Sequence, residues 1–176
     1  LAPDLIGMIG RDYEPGTTSP VFDINGTLAG LAICFDVIYD ELIWEGARDG
    51  AQVYLFQTNN ADFRGTDENL QQLAIARMRA IETGRAVVNS STVGASQVIA
   101  PDGSTLDALP ADVAGQMVTT VELRDGLTPA GVLGGRDLGV FAARPSAGLL
   151  VVGVGAALRR RRADAASVEL YVDVRR

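Results

Sequence analysis

Residues 26–60 read GTLAGLAICFDVIYDELIWEGARDGAQVYLFQTNN, and this stretch decides the fold class. TLAGLAICF (27–35) is apolar on both faces toward its end, which predicts a buried strand. DELIWEGARDG (40–50) has the spacing of an amphipathic helix, and AQVYLFQT (51–58) predicts a second buried strand. The order strand, helix, strand favours a layered α/β domain.

The flanking residues extend this pattern on both sides. PVFDI (20–24), followed by the turn signal Asn-Gly, predicts a hairpin strand before the stretch. TDENLQQLAIARMRAIET (66–83) predicts the clearest helix of the chain, which ends before a glycine. Its residues at helical spacing are Leu70, Leu73, Ala74, Arg77, Ala80 and Ile81.

Three further strands are predicted after this helix. They are RAVVNSST (85–92), ASQVIA (95–100) and GQMVTTVEL (115–123). A tight turn at PDG (101–103) follows the second of them. Consecutive strands without a helix between them pair antiparallel, so the sequence predicts a mixed sheet.

The charge composition excludes several classes of site. The 15 basic residues are all arginine, the sequence has no lysine or histidine, and the net charge is −7. Within the chain, no Ser-His-Asp triad, Cys-His pair, Schiff-base lysine or histidine metal ligand can form. An acidic chain also repels phosphate. We therefore expect no metal, no cofactor and no nucleic-acid partner.

A largely apolar segment, residues 137–158, precedes the arginine block RRRR (159–162). A membrane span needs about 20 apolar residues, and Arg144 and Pro145 interrupt this one. The positive-inside rule places such a block on the cytoplasmic side. We predict a transmembrane helix followed by a basic cytoplasmic tail, 159–176. The alternative is a buried apolar helix followed by a solvated tail.

Cys34 is the only cysteine in the sequence. A lone cysteine at the end of an apolar strand is more often an inert core residue than a nucleophile. Here, however, a polar turn and a helix follow it, and α/β sheets hold their sites at the carboxyl ends of strands. The next strand ends in QTNNADF, whose Asn59 and Asn60 can orient a substrate or cap the loop.

Three segments together resemble a known family: GLAICFDVIYDE, QTNNADF and QQLAIARMRAIETGRAVVNSSTVGASQVIAPDG. Their order and spacing over residues 12–125 are similar to the nitrilase, or carbon–nitrogen hydrolase, superfamily. Within it, they most resemble the actinobacterial type of apolipoprotein N-acyltransferase. Each segment alone is a weak signal, whereas the three in order are specific.

The resemblance implies a partial nitrilase-like αββα sandwich over residues 1–136, followed by one C-terminal transmembrane helix. The domain would lie on the extracytoplasmic side of the cell membrane. The implied enzyme moves a fatty acyl chain from a phospholipid onto a cysteine as a thioester. It then passes the chain to the N-terminal diacylglyceryl-cysteine of an apolipoprotein. Phospholipid, apolipoprotein and membrane are therefore the implied partners.

Carried over by position, the resemblance makes Cys34 the nucleophile. It makes Phe35, Asp36, Asn59 and Asn60 substrate-binding residues. Many relatives carry glutamate where this chain has Asp36, which is one methylene shorter. The family's general base, a glutamate, and its oxyanion-binding lysine lie upstream of the cysteine. Because this chain has no lysine, we expect an incomplete fragment that is inactive alone.

Two alternatives remain open at this point. The chain can be a soluble nitrilase-type amidase that hydrolyses C–N bonds through the same cysteine, or an inactive truncated domain. Arg79 and Glu82 lie three residues apart on the predicted helix. We interpret them as an ion pair, at the surface or toward the core, rather than as catalytic groups.

Overall fold

A computed structural model describes residues 14, 16–134 and 148–159 of the chain. Within them lie six strands: β1 (Val21–Ile24), β2 (Thr27–Ile33), β3 (Val53–Thr58), β4 (Ala86–Ser91), β5 (Ser96–Ile99) and β6 (Thr105–Leu109). The helices are α1 (Asp40–Arg48), α2 (Glu68–Thr83), the 3₁₀ helices Cys34–Ile38 and Ala61–Phe63, and helical residues at 129–134 and 148–159.

The strands form one sheet in chain order from β1 to β6. β2, β3 and β4 are parallel, and the outer pairs are antiparallel. Asn25 and Gly26, which join β1 to β2, have φ of 53° and 87°. Two left-handed residues in a row are typical of the tight hairpin turn predicted from Asn-Gly. The predicted mixed sheet is confirmed.

Helices α1 and α2 pack on one face of the sheet. Tyr54 and Phe56 of β3 point into the core on that side, with Ile43 of α1 and Ala76 of α2. Because side chains alternate along a strand, Val53 of the same strand lies on the opposite face. That face carries a small cluster of Ala29, Val53 and Ala86, against which Leu55 and Val121 pack.

The sixth strand lies nearer the tight turn than predicted. No strand forms at residues 115–123, so that prediction was wrong. At the turn, the Ala100 N–H donates to the Ser104 carbonyl at 2.8 Å and the Gly103 N–H donates to the Ala100 carbonyl at 2.9 Å. This closed turn brings the residues directly after it, β6, onto β5. Turn geometry therefore decides the partner, whereas strand propensity does not.

The buried face of α2 is also rotated from the predicted stripe. Leu70 and Ile81 are 53% and 46% exposed. The buried residues are Gln72, Leu73, Ala76, Arg79, Ala80 and Thr83. Polar side chains can occupy this face because each finds hydrogen-bond partners inside the protein.

Gly30 of β2 is required by close packing against Tyr54. A Cβ at this position would lie 2.6 Å from Tyr54 Cδ1. The Tyr54 ring is 1% exposed and its hydroxyl donates to the Ile43 carbonyl, so it has little room to move. We expect Gly30→Ala to lower the free energy of unfolding by about 1–3 kcal/mol, measured by urea denaturation. Gly16→Ala, where a Cβ meets nothing within 4 Å, is the control and should be neutral.

The chain divides into two compact units between residues 127 and 128. In the second unit, the helical residues 148–159 expose apolar side chains, including Leu149 at 75% and Val152 at 70%. In the described part of the chain, no helix combines the length and apolarity needed to cross a bilayer. Residues 137–147 of the predicted transmembrane helix lie outside the described residues, as do 160–176 of the predicted tail.

Candidate active site

Cys34 directly follows β2 and begins the 3₁₀ helix Cys34–Ile38. It lies at the carboxyl end of three parallel strands, since Ile33 is in register with Gln57 of β3. Its φ is 55°, in the left-handed region that non-glycine residues rarely adopt and that occurs often at functional sites. The side chain is half-buried. A sharp turn therefore presents the thiol at the sheet edge where α/β proteins hold their sites.

The Asp36 side chain closes this turn. Its Oδ2 accepts a hydrogen bond from the Ile33 N–H at 3.0 Å, and its carbonyl accepts from the Tyr39 N–H at 3.0 Å. The Asp36 carboxylate thus holds the backbone at Ile33, and the Asp36 backbone carbonyl holds it at Tyr39. Its role toward a substrate stays a prediction.

Apolar side chains lie next to Cys34 in the chain and flank its short helix. The Phe35 ring packs edge-on against Phe63, with centroids 5.7 Å apart and ring planes at 86°. Phe63 belongs to the loop after β3, so this contact joins the two predicted site segments. Ile33 and Tyr39, which flank the 3₁₀ helix, are 67% and 61% exposed. The surface around Cys34 can therefore accept an apolar ligand.

A chain of polar side chains leads from Cys34 into the protein. Gln72 Nε2 of α2 donates to Cys34 Sγ at 3.7 Å, and Thr58 Oγ1 of β3 donates to Gln72 Oε1 at 2.8 Å. Thr58 Oγ1 also lies 3.2 Å from Asn60 Oδ1, and Asn60 Nδ2 donates to Ser91 Oγ at 3.2 Å. Thr58, Asn60 and Gln72 are all buried. This polar chain therefore ties the thiol to α2 and to the ends of β3 and β4.

The two asparagines predicted at the site have different surroundings. Asn59 is exposed, and its Oδ1 accepts from the Ala61 N–H at 3.2 Å and from Thr92 Oγ1 at 2.7 Å. Asn59 thus caps the loop. Asn60 is 3% exposed and belongs to the polar chain. Contact of either amide with a substrate stays a prediction.

Arg79 of α2 is 5% exposed and fastens the segment that follows Cys34. Its Nε donates to the Val37 carbonyl at 2.8 Å and its Nη2 to the Ile38 carbonyl at 2.9 Å. It also pairs with Asp40 at 2.6 Å and with Glu82 at 2.7 Å. The predicted pair with Glu82 is present, and it is one part of a larger buried arrangement.

A cavity of about 430 Å³ opens at the ends of β3 and β4, beside the polar chain. Gln57, Thr58, Ser90 and Ser91 are among its lining residues. Within the described residues, no group of three or more Cys, Asp or Glu side chains converges as metal ligands would. Leu55, Phe56 and Val88 also line this cavity, so it lies on the sheet face that carries Leu55.

Comparison with known proteins identifies the family. The family model described as Carbon-nitrogen hydrolase matches residues 9–127, well over half of the chain. The chain belongs to the carbon-nitrogen hydrolase family. The resemblance seen in the sequence segments is therefore confirmed, and Cys34 with its polar chain lies inside the matched region.

Several curated relatives share one name. An apolipoprotein N-acyltransferase of Mycolicibacterium smegmatis is 38% identical over 120 residues, covering 67% of this chain and 20% of that protein. Those of Ralstonia nicotianae and Azotobacter vinelandii are 35% and 32% identical, covering 88% and 94% of this chain. They are themselves covered over 29% and 30% of their lengths. The chain thus spans less than a third of each relative.

Two solved structures of the nitrilase superfamily match part of the chain. A mutant of the Nesterenkonia AN1 amidase is 26% identical with a TM-score of 0.47, covering 57% of this chain and 40% of that one. A Saccharomyces cerevisiae member of the superfamily is 25% identical with a TM-score of 0.49, covering 56% and 39%.

The sequence did not predict Gln72 and Thr58 as site residues, although both belong to the polar chain that starts at Cys34. Gln72 precedes Leu73, Ala76 and Ala80 on the buried face of α2. A glutamine in line with buried residues needs an internal partner, and that pattern was the available signal. Thr58 carried no comparable signal, because threonine is common in strands.

Proposed function

We propose that this carbon-nitrogen hydrolase is the nucleophile-bearing part of an apolipoprotein N-acyltransferase. The observation that carries the proposal is the half-buried Cys34 thiol, held at a left-handed backbone position at the sheet edge inside the family match. The shared name of the relatives favours acyl transfer over C–N bond hydrolysis. The apolar surroundings of Cys34 support a lipid substrate.

In the proposed reaction, the Cys34 thiolate attacks the carbonyl carbon of a phospholipid ester. A C–S bond forms, the ester C–O bond breaks, and the lysophospholipid leaves as an alcohol after taking up a proton. The free α-amine of the apolipoprotein's diacylglyceryl-cysteine then attacks the thioester. A C–N bond forms, the amine loses a proton, and the thiolate leaves. Thiolates suit both steps because they attack readily and leave readily.

The proposed base is a glutamate and the proposed oxyanion donor a lysine, as in the family that the sequence resembles. Since this chain contains no lysine, that group has to come from outside it. We propose that the sheet face bearing Leu55 and Val88 packs against the second sheet of an αββα sandwich. On this view, the chain alone has no acyl-transfer activity.

Substrate contacts are proposed for the side chains around the thiol. Phe35 would border the acyl chain, and Asp36 would hold the turn that aims the sulfur. Asn59 and Asn60 would fix the loop opposite the ester. The contacts of Phe35 with Phe63 and of Asn60 with Ser91 support these roles, because they fix the side chains in place before a substrate arrives.

We further propose that the protein acts at the outer face of the cell membrane, with residues 159–176 in the cytoplasm. The support is the exposed apolar helix at 148–159 and the arginine block that follows it. The acyl donor would then diffuse to the site within the membrane.

The test is intact-mass measurement after incubation with phospholipid vesicles. It uses the full native protein, in which this chain is combined with the part that supplies the base and the lysine. We expect a fatty-acyl adduct on the native protein and none on Cys34→Ser, because the hydroxyl of serine is a much weaker nucleophile than a thiolate. An adduct formed from a short carboxamide and never from phospholipid would instead make the protein an amidase. No adduct from either would overturn the proposal that Cys34 is a working nucleophile.

A further inference from the structure

The Gln72 amide is buried at 3% exposure and faces the sulfur of Cys34. Its two polar atoms have different neighbours. Nε2 lies 3.7 Å from Cys34 Sγ, and Oε1 lies 2.8 Å from Thr58 Oγ1. An amide nitrogen is only a donor, so it suits a sulfur that carries negative charge.

Thr58 contacts the oxygen of this amide. Its hydroxyl lies 2.8 Å from Gln72 Oε1 and 3.2 Å from Asn60 Oδ1, so the shorter contact is the one with Gln72. With Oε1 held by this bond, the N–H₂ group is left toward Cys34. Asn60 is in turn fixed by its bond to Ser91 Oγ. The amide is thus oriented before any substrate binds.

We propose that Gln72 is a catalytic residue that donates a hydrogen bond to the Cys34 thiolate, and that Thr58 is the positioning residue for that donor. The inference rests on the proposed function only in that Cys34 is the nucleophile. When the thiol proton passes to the general base, the charge that develops on sulfur meets an N–H already aimed at it. A donor that is oriented in advance costs no rearrangement as the charge appears.

The alternative role for Gln72 is structural, namely that its amide only fills a buried polar position. The two roles predict opposite orders for two variants. Gln72→Glu keeps the shape and an oxygen for Thr58, but it places a carboxylate against the sulfur. Gln72→Leu removes every polar contact. If the role is structural, Gln72→Glu should disturb the reactivity of Cys34 less than Gln72→Leu does. If the amide donates to a thiolate, Gln72→Glu should disturb it more.

The experiment measures the rate at which iodoacetamide alkylates Cys34 in the full native protein, with the labelled peptide identified by mass. We expect Gln72→Leu to slow alkylation at pH 7 on the order of tenfold, as for loss of a hydrogen bond to a charged group. Gln72→Glu should slow it further. Both differences should shrink at about pH 10, where an ordinary cysteine is ionised.

Gln71→Glu is the matched control, because Gln71 is the exposed neighbour on the same helix, and it should alkylate at the native rate. Thr58→Val should show part of the Gln72→Leu effect. The other charged side chains of the Cys34 turn and of both packed helices are the same in every variant; they are Asp36, Asp40, Glu41, Glu45, Arg48, Glu68, Arg77, Arg79 and Glu82. Thermal unfolding of each variant checks that it is folded.

Equal rates for native protein and Gln72→Leu, or a faster rate for Gln72→Glu than for Gln72→Leu, would overturn the inference. Alkylation needs no lipid, so this result is independent of acyl transfer. If alkylation follows the expected order while no acyl adduct forms from phospholipid, the proposed function fails and the role of Gln72 stands. If an acyl adduct forms but alkylation does not follow the expected order, the proposed function stands and Gln72 is not a catalytic residue in it.

Discussion

Replacing Arg85 with methionine is expected to lower the free energy of unfolding by about 3–5 kcal/mol. Arg85 is 0% exposed, and its guanidinium donates to five backbone carbonyls. Methionine fills much of the same space but donates nothing. The buried carbonyls of Ala51 and Thr83 would then lose this donor, and the side-chain link to residues 125–126 would be lost as well. Because the free energy of unfolding of a whole domain is about 5–15 kcal/mol, this loss is a large share of the total stability.

The carbonyls explain why a cation is tolerated here. Two of them, Ala47 and Thr83, lie at the carboxyl ends of α1 and α2, and Arg85 binds them at 3.2 and 2.5 Å. Helix carboxyl ends carry partial negative charge. Burial lowers the pKa of Arg85, opposed by the nearby Tyr54 and Asp125. The guanidinium therefore acts as a shared cap for both helices.

Equilibrium denaturation in guanidinium chloride measures the effect. Arg64→Met is the matched control, since the Arg64 ion pair with Asp112 is mostly exposed and should contribute less than about 1 kcal/mol. Arg85→Lys should fall between the two, because an ammonium has three donors against the five of a guanidinium. A loss below that of the Arg64 variant would show that the five hydrogen bonds do not stabilise the fold.

Replacing Arg79 with methionine is expected to slow acylation of Cys34 by about 100-fold, beyond any loss of stability. Arg79 binds the Val37 and Ile38 carbonyls, the last two residues of the short helix that Cys34 begins. Without these two hydrogen bonds, the turn loses its attachment to α2, and the sulfur is no longer held in one position. A displacement of about 1 Å at a reacting atom is enough for such a loss.

Arg77→Met is the matched control for Arg79. Arg77 lies two residues away on α2 and also makes several bonds, to Gly103, Gln97 and Thr105 of the β5–β6 hairpin. Its loss should lower stability without touching the Cys34 turn. The measurement is the rate of acyl-adduct formation per folded molecule, by intact mass. Equal rates for the two methionine variants would refute a positioning role for Arg79.

Much of the fold could be predicted from local sequence. The buried strands β2 and β3, the Asn-Gly hairpin and the end of α2 at Gly84 all follow from short-range signals. The sixth strand could not be located this way, because residues 115–123 are richer in strand-favouring valine and threonine than residues 105–109, which include Asp107 and Ala108. The turn at Gly103 selects between them, and its effect depends on pairing with β5.

The site could be predicted only at its centre. Cys34 and the asparagine loop carry signals that one segment can show, whereas Gln72 and Arg79 matter through contacts made 38 to 42 residues away along the chain. An Arg–Glu spacing on a helix indicates an ion pair, but it does not show whether that pair lies at the surface or toward the core. Arg79 can be buried because it donates to the Val37 and Ile38 carbonyls. These acceptors have no sequence signature, since every residue has a backbone carbonyl.

The Arg85 cap also constrains the order in which the chain can fold. Its partners extend from Ala47 to Gly126, so the guanidinium has its full set only after the chain through residue 126 has left the ribosome. Until then, burying the cation leaves donors unpaired, and the two helix ends have an incomplete cap. We therefore expect the sheet and helices to remain loosely docked during synthesis and to consolidate in one late step.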